Sequence, residues 1–93
     1  MEITEVRIFP VDEENLRAYV TLAIDDCVEI RDLRIIRGRK GHFVDMPYRI
    51  GRDRQRLQIV LMTSTDARNM LEERVLAEYE KITGESLTRR KLS

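Results

Sequence analysis

The sequence predicts an α+β fold, in which an antiparallel β-sheet of about five strands is followed by one C-terminal amphipathic α-helix. Two observations carry that prediction. Apolar residues recur with period two through the first half of the chain, and from residue 65 the period becomes 3.6. Glycine, proline and paired aspartates punctuate the runs where strands must turn.

Residues 3–9 form the first expected strand, with Ile3, Val6, Ile8 and Phe9 among polar neighbours. Residues 10–15, Pro-Val-Asp-Glu-Glu-Asn, end it in a polar turn. Residues 16–24 alternate cleanly: Leu16, Ala18, Val20, Leu22 and Ile24 face one way, and Arg17, Tyr19, Thr21 and Ala23 the other. One apolar face at period two is the mark of a half-buried antiparallel strand. Asp25 and Asp26 follow as a turn. Val28 and Ile30 restart the alternation, which slips at Asp32-Leu33 and resumes in the opposite phase at Leu33 and Ile35. A slip of one residue inside a good strand predicts a β-bulge.

Gly38-Arg39-Lys40-Gly41 reads as a hairpin turn, and residues 42–46 as a short strand closed by Pro47. Residues 48–56 read as an exposed basic loop around Gly51, and residues 57–62, apolar and β-branched, as a further strand. Ala67, Met70, Leu71, Val75, Tyr79 and Ile82 then fall on one helical stripe. Ser64 or Thr65 suits the N-cap, Asp66 the first turn, and Gly84 the C′ position. The domain is expected to occupy residues 1–84, with residues 85–93 a polar, frayed, basic tail.

A chain of 93 residues holds one core. A domain of this size buries only roughly 60–65% of its unfolded surface, so pairing with a second copy would add useful buried area. The net charge of zero hides a block pattern. Residues 1–33 carry three arginines against nine acids, whereas residues 34–56 carry seven arginines and Lys40 against only Asp45 and Asp53. The middle block is the stretch that can meet an anion. No apolar run approaches a membrane span, and the N-terminus lacks the basic and apolar regions of a signal peptide, so the cytoplasm is the expected location.

Little in the sequence points to an enzyme. Cys27 and His42 are each the sole residue of their type, which excludes an intramolecular disulfide and a Cys/His zinc cluster, and no cofactor motif is apparent. The acidic neighbour of Cys27 opposes thiolate formation. His42 reads as an ordinary strand-edge residue. The Gly38-to-Gly41 turn joins two strands, so it lacks the helix N-terminus of a phosphate-binding loop. The basic block remains. Arg37, Arg39 and Lys40 cluster at one turn, and Arg49, Arg52, Arg54 and Arg56 in the next loop, where Tyr48 offers a ring for base stacking. Arginine forks match phosphate oxygens and guanine edges, so the expected ligand is DNA or RNA.

The assembled words resemble the stage V sporulation protein G (SpoVG, septation protein) family. The resemblance rests on residues 1–10 (MEITEVRIFP), 16–25 (LRAYVTLAID), 30–33 (IRDL) and 36–38 (IRG). Gly41, Phe43-Val44, Met46-Pro47, Arg49 and residues 75–79 (VLAEY) continue it, without gaps, over residues 1–81. It implies a partly barrel-like antiparallel sheet with a C-terminal helix, a homodimer, and a bacterial cytoplasmic regulator that binds DNA and RNA and is linked to septum formation and sporulation. It also implies that Arg49 contacts nucleic acid. In the family pattern a Ser and a Lys flank this Arg; here they are Tyr48 and Ile50. The family's His-Pro-Ile before the helix is Leu61-Met62-Thr63 here. The rival expectation is a protein-interaction module of the septation machinery that binds no nucleic acid.

Overall fold

The clean alternation of residues 16–24 organises the sheet. In the computed structural model, which describes residues 1–88, four strands pair antiparallel in chain order: β1 (Ile3–Pro10), β2 (Leu16–Ile24), β3 (Val28–Gly38) and β4 (Gly41–Asp45). Two three-residue strands, β5 (Tyr48–Ile50) and β6 (Arg56–Gln58), pair only with each other, and α1 (Thr65–Thr83) follows. The fold is α+β. The main sheet is open and not closed into a barrel, because β5 and β6 form a separate hairpin instead of extending or closing it.

Local chemistry sets the turns. Asp25 and Asp26 both lie in the left-handed region (φ 51° and 55°), which short polar side chains tolerate. The Cys27 N–H closes the turn on the Ile24 carbonyl, and the Asp25 carboxylate accepts the Glu2 N–H at 2.8 Å. The bulge expected at Asp32 is present. Val20 pairs with Leu33 but Leu22 with Ile30, so β3 carries one extra residue, and Asp32 has φ 65°. Beyond it, Leu33 and Ile35 face inward.

The inner face of the sheet carries Ala18, Val20, Leu22, Leu33, Ile35 and Val44, all buried, with α1 packed across β1 and β4. Burying each such side chain fully contributes about 1.5–3 kcal/mol for the larger aliphatics. Ser64 caps α1 by accepting the Ala67 N–H at 3.1 Å, and Gly84 (φ 71°) ends it by donating to the Glu80 carbonyl. The helix presents Leu71, Glu72, Val75, Leu76 and Tyr79 to the core. The stripe is thus rotated from the one the sequence suggests: Met70 and Ile82 are exposed, and Leu76 and Glu72 lie inside. Arg68, one turn before Glu72, pairs with it at 3.3 Å and donates to the Val44 carbonyl at 2.7 Å, tying helix to β4.

Two further segments differ from the sequence expectation. Residues 59–62 form no strand; only the Ile59 N–H, donating to the Pro47 carbonyl, makes a sheet-like bond. After the helix, the chain does not leave the body at residue 84. Glu85 accepts two hydrogen bonds from Arg17 (2.8 and 3.2 Å) and lies 2.7 Å from His42 Nε2, while Leu87 packs against the core. The Thr88 N–H donates to His42 Nδ1, so the imidazole carries its proton on Nε2 and donates to Glu85. Burial pushes the Glu85 carboxyl up, but hydrogen bonds from His42, Arg17 and Tyr79 outweigh it and hold it below its ordinary value. His42, 4% exposed, is therefore a packing residue. The basic tail Arg89, Arg90 and Lys91 lies outside the described residues.

Candidate nucleic-acid interface

The stretch expected to be a loop after Pro47 is an arm. Tyr48 pairs with Gln58, Arg49 with Leu57 and Ile50 with Arg56. At the tip, the Arg54 N–H donates to the Gly51 carbonyl and the Gly51 N–H to the Gln55 carbonyl. Arg54 has φ 62°, so the tip is a tight turn followed by a left-handed residue. An added Cβ at Gly51 would come within 3.0 Å of a Leu57 methyl, so glycine lets the two strands close.

This geometry separates the four arginines of the arm. Arg52 and Arg54 project from the tip. Directly paired residues share a hairpin face, so Arg49 lies with Leu57 on one face and Arg56 with Ile50 on the other. Arg49, Arg52 and Arg54 are exposed and make no ion pair among the described residues. Arg56 instead turns back to the main sheet and donates to both oxygens of Asp45 at 3.0 Å.

Asp45 also accepts from Arg34 at 2.6 Å, and Arg34 donates to the Tyr48 hydroxyl at 3.1 Å. The Arg56 guanidinium lies 3.9 Å from the centroid of the Tyr48 ring, and that of Arg34 4.9 Å. Burial pushes Arg34 down, and Asp45 more than offsets this, so the cation is secure. Tyr48 is therefore engaged by its own chain's cations and is not an open stacking surface. Sequence reading missed Asp45 and Arg34 as the hinge of the arm. The available signal was that Asp45 is one of only two acids in the basic block.

The other basic cluster sits at the opposite end of β4. Arg37 donates to the Glu14 carbonyl at 3.0 Å, and Arg39 and Lys40 are exposed at the β3–β4 turn. β4 is five residues, roughly 17 Å. An open groove of about 690 Å³ runs between arm, β4 and α1, lined by Phe43, Asp45, Arg56, Leu57, Leu61 and Arg68. Among the described residues no group of His, Cys, Asp and Glu is placed to hold a metal ion, and no helix is long and apolar enough to cross a membrane.

The SpoVG family profile matches residues 1–81, which takes in the whole sheet, the arm and most of α1. The chain belongs to the SpoVG family. Among its relatives is the protein named "Putative septation protein SpoVG" of Anaeromyxobacter sp. (strain Fw109-5), 47% identical over 81 residues, which are 87% of this chain and 84% of the relative. The protein of that name from Myxococcus xanthus (strain DK1622) is 43% identical, covering 87% and 82% of the two chains. That from Borrelia hermsii (strain HS1 / DAH) is 40% identical over 91 residues, 94% and 95% of the chains. The SpoVG match ends before the Glu85 contacts with Arg17 and His42.

Proposed function

We propose that this SpoVG-family chain is a homodimeric, non-enzymatic DNA- and RNA-binding regulator of the bacterial cytoplasm, linked to septum formation and sporulation. The observation that carries the proposal is the arm: Arg49, Arg52 and Arg54 stand exposed without an acidic partner among the described residues, while Arg56 braces the arm against Asp45. Unneutralised arginines on a projecting hairpin attract a phosphate backbone and release its counterions. Arg37, Arg39 and Lys40 extend the basic surface along β4. Dimerisation is supported by the apolar residues around the arm, Ile50, Ile59 and Leu61, each about 60% exposed. A dimer presents two arms, whose modest affinities act together.

The test is binding to labelled DNA and RNA pools across a salt series, with a variant in which Arg49, Arg52 and Arg54 are alanine. The expected result is weaker binding to all sequences and a salt slope flattened by roughly 2–3 units, about 0.7–0.9 for each phosphate no longer neutralised. No salt-sensitive binding by the folded wild type would reject the proposal. The same apolar residues favour the second reading, a protein-interaction module of the septation machinery, and that outcome would leave it standing.

A further inference from the structure

The helix covers one face of the main sheet, while on the other the arm meets the Arg34–Asp45 end and leaves Phe9 and Tyr19 exposed. That outer face carries an ordered row. Phe9 pairs with Tyr19, Tyr19 with Arg34, and Arg34 with Asp45, one residue from each strand in turn. Paired residues share a face, and neighbouring strands lie about 4.8 Å apart, so the row spans roughly 14 Å. Phe9 is 51% exposed and Tyr19 43%. A sheet facing water ordinarily carries polar residues there. Of the five aromatic residues only Tyr79 belongs to the core; Phe9, Tyr19, Phe43 and Tyr48 do not.

We infer that this outer face is a stacking platform for the unpaired bases of single-stranded nucleic acid, with Phe9 and Tyr19 as the stacking rings. It deepens, and rests on, the nucleic-acid reading above. The row is polarised. Two rings stand at the β1–β2 end, and at the other the guanidinium of Arg34 leads to Arg56 and the arm. Bases have an apolar face and phosphates a charge, so an aromatic surface bordered on one side by cations matches a strand whose backbone follows the arm and whose bases lie inward. At the β1 end, Arg7 is paired with Glu5 and Glu29, which keeps phosphates away from the rings. A duplex keeps its base faces stacked internally, so the platform selects single strands. Tyr48, stacked on by Arg56, holds the arm at the end of the row and does not bind a base itself.

The experiment is a fluorescence anisotropy titration of a twelve-nucleotide single strand and its duplex. Four proteins are compared: the wild type, Phe9→Leu/Tyr19→Leu, Tyr19→Trp, and the arm variant with Arg49, Arg52 and Arg54 changed to Ala. Leucine keeps apolar area but has no ring, and circular dichroism and light scattering report fold and oligomeric state. The expected result is a loss of roughly 10–100-fold in single-strand affinity for the leucine variant, with an unchanged salt slope and little effect on the duplex. Tyr19→Trp is expected to retain single-strand binding. An unaltered single-strand affinity in the leucine variant, with binding weakened in the arm variant, would overturn the platform and leave the arm standing. Dissociation of a dimer in the leucine variant would overturn it too, by making the face a contact between copies. A wild type that binds neither ligand would overturn both.

Discussion

The sheet–helix body and the arm use the same residue types to opposite ends. In the body most arginines meet an acid, Arg17 at Glu85, Arg31 at Glu29 and Arg68 at Glu72, with Arg37 and Arg39 at the β3–β4 turn the exceptions among the described residues. Its strands are long enough to bury a run of side chains on one face, Ala18, Val20 and Leu22 in β2 and Leu33 and Ile35 in β3. In the arm, β5 and β6 have three residues each, β6 is exposed along its length, and three arginines meet no acid among the described residues. Burial is thus concentrated in the body and unpaired positive charge in the arm, and Asp45 ties one to the other.

The largest test of that division is Tyr79→Ala beside Leu57→Ala. Tyr79 is 2% exposed beneath the sheet, and its removal is expected to cost about 3–5 kcal/mol, a large part of a small domain's stability. Leu57, on the arm, is expected to cost less than about 1 kcal/mol. Urea denaturation of both variants measures the contrast, and equal costs would show that the arm is part of the core.

Next comes Asp45→Asn, which leaves two guanidiniums without their shared carboxylate. The expected loss is about 1–3 kcal/mol, with faster tryptic cleavage after Arg52 and Arg54 as the arm loosens. Unchanged cleavage would show that the arm is held by other contacts.

The smallest effect is expected at Glu85. Its carboxyl lies below the ordinary value of 4.5, so its stabilising contribution is complete above that pH and is lost as the pH falls through the folded-state value. Glu85→Gln is expected to lower Tm near neutrality and to converge on the wild type in acid. Parallel Tm curves from about pH 6 to 3 would count against the linkage.

The body was legible because burial writes itself into sequence. The alternation of residues 16–24 and the slip at Asp32 both reflect which side chains meet the core. The arm was not, since strands that bury neither face need no alternation, and its basic residues resemble a loop. Residues 59–62 misled in the converse way: they are apolar and β-branched, yet Ile59 and Leu61 are exposed and only Val60 and Met62 lean on the core. The part-buried His42–Glu85 contact joins residues 43 apart in sequence, with no local pattern to announce it. Of the site, the arginines were evident from the charge block. That Arg56 is spent on Asp45, and Tyr48 on Arg56, depends on the arm folding back.

The bulge at Asp32 decides more than the twist of one strand. A strand has only two sides, so an inserted residue acts as a parity bit for everything after it. With Asp32 present, even-numbered Arg34 and Ile36 look outward and odd-numbered Leu33 and Ile35 look inward. Were β3 to pair regularly through Asp32 instead of bulging there, the two sets would exchange. Leu33 and Ile35 would turn to water, and Arg34 would enter the core facing away from Asp45. The attachment of the arm to the body therefore depends on an irregularity two residues before Arg34.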